Sequence, residues 1–135
     1  MAPSAQAKSE PASARARILL VDDEPGLREA VQAYLEDSGF EVIPAANAQQ
    51  ALQLLSTTQP QLIISDIMMP GMDGYQFLAQ VRKLDPYSHL PVVFLTAKGM
   101  TADRIQGYRA GVDAYLPKPF DPEELVASVS NLIER

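Results

Sequence analysis

The sequence has no cysteine, no tryptophan and a single histidine in 135 residues. Without cysteine it has no disulfides, no thiolate metal ligands and no thiol nucleophile, which suits a cytosolic, cytoplasmic protein. The one histidine, His89, follows Pro86-Tyr87-Ser88 away from any strand end, and reads as a surface residue, not a ligand or a phosphohistidine. No apolar run approaches the roughly 18 residues of a membrane span, which argues against an integral membrane protein. Positive charge is also scarce: 11 Lys and Arg stand against 17 Asp and Glu, for a net charge of −6. Gripping nucleic acid needs a basic surface, so any DNA contact belongs to a domain that is not in this chain. Residues 1–16 hold no large apolar side chain beyond Met1 and are rich in Ala, Ser and Pro. Such a segment buries too little to offset its ordering entropy, and is expected to be a disordered arm. It lacks the apolar stretch of a signal peptide; its Ser and Arg content leaves an organelle transit peptide as the alternative.

What remains, residues 17–135, is of ordinary globular composition and long enough for one domain. Ile18-Leu19-Leu20-Val21 reads as a first strand running into Asp22-Asp23-Glu24. Pro25 suits the first turn of a helix, which carries Leu27, Val31, Tyr34 and Leu35 on one face and stops at Gly39. Phe40–Pro44 is a second strand, and Asn47 caps a second helix through Ala51, Leu52 and Leu55. Leu62-Ile63-Ile64-Ser65-Asp66 is a third strand, followed by a Pro/Gly-punctuated loop and a helix with Phe77, Leu78, Val81 and Leu84. In that loop Met68, Met69 and Met72 are expected to plug against the core. Pro91–Thr96 is strand four, residues 101–110 a fourth helix capped by Gly111, and Ala114–Pro117 strand five. Pro122 opens a last helix with Leu125, Val126, Val129, Leu132 and Ile133 inward.

Five strand–helix units in strict alternation predict an α/β fold, a parallel sheet covered on both faces. The prolines suggest its order. A central strand cannot spare a ladder donor, so Pro44 and Pro117 mark strands two and five as edges. The doubly wound, flavodoxin-like order 2-1-3-4-5 satisfies this, and places the ends of strands one and three side by side. Those ends carry Asp22, Asp23 and Asp66.

Gathered carboxylates repel by about 4 kcal/mol per pair at 4 Å and an effective dielectric of 20, so a proton or a cation must relieve them. Hard oxygen ligands without His or Cys suit Mg²⁺ (or Mn²⁺), which in turn points to phosphoryl chemistry. Thr96 at the end of strand four and Lys118 after strand five offer donors for phosphoryl oxygens. With no Cys or well-placed His available, Asp66 is the candidate nucleophile.

These residues resemble those of the receiver domain of two-component response regulators. The likeness rests on Asp22-Asp23, on Asp66 with Met69-Pro70-Gly71-Met72-Asp73-Gly74, on Thr96-Ala97, and on Tyr115 with Lys118-Pro119-Phe120. It implies that Asp66 takes a phosphoryl group from a sensor histidine kinase, and that the domain is regulatory, not an enzyme acting on other substrates. It implies that Asp23, Asp66 and the backbone carbonyl of Met68 bind Mg²⁺, supported by Asp22. Thr96 and Lys118 would contact the phosphoryl group, and the Lys118–Pro119 peptide would be cis. It further implies a switch in which Thr96 and Tyr115 move and reshape the face of the fourth helix, fifth strand and last helix, a surface for dimerisation or docking.

A haloacid-dehalogenase-type phosphatase would also use an aspartate with Mg²⁺, but wants a second acid where Met68 stands. A flavin or nucleotide binder needs a phosphate-cradling first turn, and Asp22-Asp23-Glu24 repels phosphate without a metal. For the output, Asp113-Ala114 and Ser128/Ser130 replace the acidic pair and arginines usual in OmpR-type regulators. That favours a NarL/LuxR-type transcription regulator with its DNA-binding domain outside this chain, or a standalone receiver acting by docking or phosphorelay.

Overall fold

The structure, a computed structural model, describes residues 15–85, 87–96 and 111–134. Strands β1 (Arg17–Val21), β2 (Glu41–Ala45), β3 (Leu62–Asp66), β4 (Val92–Thr96) and β5 (Ala114–Pro117) form one parallel sheet in the order 2-1-3-4-5. The helices are α1 (Pro25–Asp37), α2 (Ala48–Thr58), α3 (Gly74–Arg82) and α4 (Pro122–Glu134), with a 3-10 turn over Tyr87–His89. The expected fourth helix over 101–110 and most of the expected N-terminal arm lie outside the described residues.

Alternation along each strand sorts its side chains into two cores. Leu19, Val21, Ile63 and Phe94 pack under α2 and α3 with Leu55, Phe77 and Val81. Ile18, Leu20, Ile64 and Leu95 pack under α1 and α4 with Leu35, Leu125 and Val129. Strands β1, β3 and β4 are therefore almost wholly apolar, as strands buried on both faces must be. Pro44 sits opposite Leu20 on edge strand β2, and Pro117 opposite Thr96 on edge strand β5, where no ladder donor is lost.

Helix ends follow local chemistry. Pro25 opens α1, and Gly39 beyond its end takes the left-handed conformation at φ 99°. Asn47 Oδ1 accepts the Gln50 backbone N–H at 2.8 Å, while the Gln50 side chain accepts from Ala46 N–H at 2.6 Å. Helix α2 ends on a left-handed Gln59 at φ 50°, where no glycine announces the turn.

The third helix stops at Arg82, short of the expected row through Leu84. Lys83 and Leu84 close with i to i−3 bonds to Gln80 and Val81 at 3.2 and 3.0 Å, and this tightening turns Leu84 outward to 41% exposure. Strands β2 and β4 each begin one residue later than the apolar pattern suggests.

Candidate functional site

The carboxyl ends of β1 and β3 lie side by side because these strands pair in register, Val21 against Ser65. The chain leaves β1 through Asp22, whose N–H donates to the Ala45 carbonyl at 3.1 Å and whose carbonyl accepts from Arg28 Nη1 at 2.7 Å. Asp22 Oδ1 accepts the Glu24 N–H at 2.9 Å, a turn that launches α1. The backbone thus fixes Asp22, and the fold buries its side chain completely. Asp23 beside it is exposed.

Asp66 ends β3 and is almost fully buried. Its carbonyl accepts the Ser65 hydroxyl at 2.8 Å, and the loop that follows folds back so that Gly74 N–H reaches the Ile67 carbonyl at 2.8 Å. A Cβ at Gly74 would stand 2.8 Å from both the Asp66 carbonyl oxygen and the Ile67 Cα, so only glycine allows this closure. Asp73 and Gln76 form a reciprocal capping box that starts α3 at the same point.

Asp22, Asp23 and Asp66 each offer a carboxylate oxygen, and these oxygens all lie within 4.8 Å of one another. Lys118, just past β5, answers them. Its Nζ is 3.3 Å from Asp66 Oδ2 and 4.0 Å from Asp22 Oδ2. Burial pushes the Asp22 carboxyl pKa above its usual 3.8, with Asp66 and Asp23 adding to the rise. The Glu24 N–H and the Lys118 ammonium offset part of it. Asp22 Oδ2 is buried and receives no hydrogen bond. A buried carboxylate oxygen without a donor, in an all-oxygen cluster, fits a hard divalent cation.

Among the described residues, three acids and one amine meet at the switch point of a 2-1-3-4-5 sheet, and the chain that carries them has known relatives. Residues 18–130 match the family described as "Response regulator receiver domain". The chain belongs to that family. It is 63% identical over 119 residues to response regulator Rre1 of Synechocystis sp., covering 87% of this chain and 52% of that protein. It is 40% identical over 119 residues to the phosphate regulon transcriptional regulatory protein PhoB of Escherichia coli, covering 88% of this chain and 52% of that one. The chain thus spans about half the length of these curated relatives. Among solved structures, a response regulator from Chloroflexus aurantiacus superposes at TM-score 0.86 with 38% identity, covering 90% of this chain and 99% of that one. The chemotaxis protein CheY4 of Vibrio cholerae gives 0.84 and 34%, covering 88% and 99%.

Within this receiver, Thr96 is buried at the end of β4, and its carbonyl accepts the Lys118 N–H at 2.7 Å. The Lys118–Pro119 peptide is cis. Tyr115 stands half-buried on β5, its ring edge-on to Phe94 at 5.9 Å and its hydroxyl 3.4 Å from that of Tyr75. The methionine loop departs from expectation. Ile67 and Met69 point inward and Met72 packs partly, but the intervening Met68 is thrown out to 63% exposure by the residual alternation of the strand. His89 is exposed, as its loop position suggested.

The sequence pattern did not single out Arg28, Tyr75 or Gln76, which lie around the site; Gly74 entered only as the last residue of the loop motif and Ser65 only as a strand residue. The Asp73-x-x-Gln76 spacing carried the capping-box signal; the reach of Arg28 and Tyr75 carried none. An apolar groove of about 620 Å³ also opens between α1 and α4, lined by Leu27, Tyr34, Phe120 and Leu125, with Lys118 at one end. Among the described residues, no helix is long and apolar enough to cross a membrane.

Proposed function

We propose that this chain acts in the cytoplasm, where Asp66 accepts a phosphoryl group from the phosphohistidine of a sensor histidine kinase. The bond from phosphorus to the imidazole nitrogen breaks as a bond to an Asp66 carboxylate oxygen forms, and the imidazole leaves carrying a solvent proton. What carries this reading is the pairing of Asp66 with Lys118 at 3.3 Å beside a buried Asp22 oxygen that lacks a donor. Asp23, Asp66 and the Met68 carbonyl would hold Mg²⁺ (or Mn²⁺), with Asp22 in support. Bound there, the cation cancels carboxylate charge and orients phosphoryl oxygens. Lys118 and Thr96 supply donors to the transferred group.

The signal then passes as a population shift between two arrangements of Thr96 and Tyr115, acting on the face that β5 and α4 contribute to. That face serves dimerisation or docking. The output is transcriptional control through a DNA-binding domain not in this chain, since the relatives include a transcriptional regulator of about twice this length. A second reading, a receiver that acts alone by docking or phosphorelay, draws on the chemotaxis protein matched over 99% of its length.

The acyl phosphate chemistry provides the test. The chain is phosphorylated with phosphoramidate and Mg²⁺, then treated with neutral hydroxylamine, which cleaves acyl phosphates and spares phosphoesters. Loss of the label is expected. A label that resists hydroxylamine contradicts Asp66 as acceptor.

A further inference from the structure

Tyr75 is placed where the acceptor's loop meets the sheet edge that carries Tyr115. Its neighbour Gly74 is pinned against the Asp66–Ile67 backbone, with Gly74 N–H on the Ile67 carbonyl at 2.8 Å and no room for a Cβ. Its other neighbour, Gln76, is locked by the Asp73 capping box, with bonds of 2.9 and 3.0 Å in the two directions. Tyr75 therefore has little freedom of its own; it moves as the Asp66 turn moves. Its ring stands edge-on to the fully buried Phe94, with centroids 5.4 Å apart and planes at 89°. Phe94 in turn meets the Tyr115 ring at 5.9 Å. The two tyrosine hydroxyls close the triangle at 3.4 Å.

We propose that Tyr75 is a positioning residue for Tyr115: its hydroxyl holds Tyr115 packed over Phe94 and links that packing to the Asp66 turn by a route separate from Thr96. The inference rests on the reading of Tyr115 as the residue that responds to phosphorylation. Two features make the link directional. The Phe94 ring is a rigid fulcrum, buried on β4 and in register with Tyr115. The hydroxyl pair is the only element of the triangle that a Tyr→Phe exchange removes, because ring packing survives that exchange. A hydrogen bond of ordinary length would change the packed-to-exposed ratio of Tyr115 about fivefold, and a 3.4 Å hydroxyl pair is weaker, so the expected change lies below that.

The experiment uses the full chain labelled with 3-fluorotyrosine, with the Tyr115 resonance assigned by Tyr115→Phe. Wild type and Tyr75→Phe are compared by fluorine NMR before and after phosphorylation with phosphoramidate and Mg²⁺, with uptake checked by intact mass. Tyr75→Phe is expected to take up phosphate as wild type does. Its Tyr115 resonance should move in population toward the exposed position, by less than about fivefold, and its response to phosphorylation should shrink. A purely structural role for Tyr75 leaves the Tyr115 signal unmoved, since the ring remains. A wild-type response that Tyr75→Phe reproduces overturns this inference alone. A wild-type Tyr115 signal that ignores phosphorylation overturns the switch reading and this inference together.

Discussion

Lys118 holds one ammonium between two carboxylates, 3.3 Å from Asp66 Oδ2 and 4.0 Å from Asp22 Oδ2. The nearer partner is the acid at the end of β3, and the farther one is the acid that burial leaves without a hydrogen-bond donor on that oxygen. Among the described residues, this one ammonium faces three acids. This imbalance defines the site.

Lys118→Ala should leave Asp66 able to take up phosphate, since the carboxylate and the metal-binding acids remain. The response of β5 and α4 should weaken, because the donor that ties the phosphoryl group to β5 is gone. Backbone NMR shifts recorded with and without phosphoramidate and Mg²⁺ measure both effects. Shifts in β5 and α4 equal to those of wild type contradict the role given to Lys118.

Asp22 titrates with a raised pKa in the folded chain, so the folded state holds this proton more tightly than the unfolded state. Its contribution to stability is fully present below about 3.8 and is lost as pH rises through the folded value. Asp22→Asn removes that loss, and should raise Tm at neutral pH in the absence of divalent cations. Mg²⁺ should stabilise wild type by about 2.7 kcal/mol at a hundredfold excess over its Kd, and should stabilise the variant less. Thermal melts across pH, with and without Mg²⁺, check the sign. A variant less stable than wild type at neutral pH without metal runs against this account.

Two glycines should answer alanine differently. Gly74→Ala drives a Cβ to within 2.8 Å of backbone atoms of Asp66 and Ile67, neither of which can move freely. A cost of about 1–3 kcal/mol is expected, together with slower phosphorylation as the Asp66 turn shifts. Gly26→Ala, in the first turn of α1 with nothing within 4 Å, should be neutral or stabilising by up to about 1 kcal/mol. Urea titrations and phosphoramidate kinetics report both.

Arg82 ties the end of α3 to the carbonyls of Tyr87 and Leu90, at 3.3 and 2.8 Å, and to that of Gly111, beside Asp113 at 3.7 Å. Arg82→Met strands these acceptors and should cost about 2–3 kcal/mol in urea denaturation. Arg82→Lys should not restore it, because a single ammonium cannot span the guanidinium's fork.

The architecture was legible because it rests on local rules. Strand–helix alternation, Pro44 and Pro117 at the edges, and the cap residues Pro25, Gly39 and Asn47 each act within a few positions. The gathering of Asp22, Asp23 and Asp66 followed from the sheet order alone. Side-chain direction in the loops did not. Met68 sits between two inward residues and is forced out, and Leu84 lies just past the point where α3 tightens. Arg82 and Tyr75 act across the fold, on Gly111 and Tyr115, and spacing along the chain carries no sign of such partners.

The most direct test is intact-mass measurement of wild type and Asp66→Asn after incubation with phosphoramidate, in Mg²⁺ and in EDTA. One phosphate on wild type in Mg²⁺, and none in EDTA or on Asp66→Asn, is the expected result. Equal phosphate uptake by Asp66→Asn, or uptake by wild type that ignores EDTA, contradicts the assignment of Asp66 as a metal-assisted acceptor.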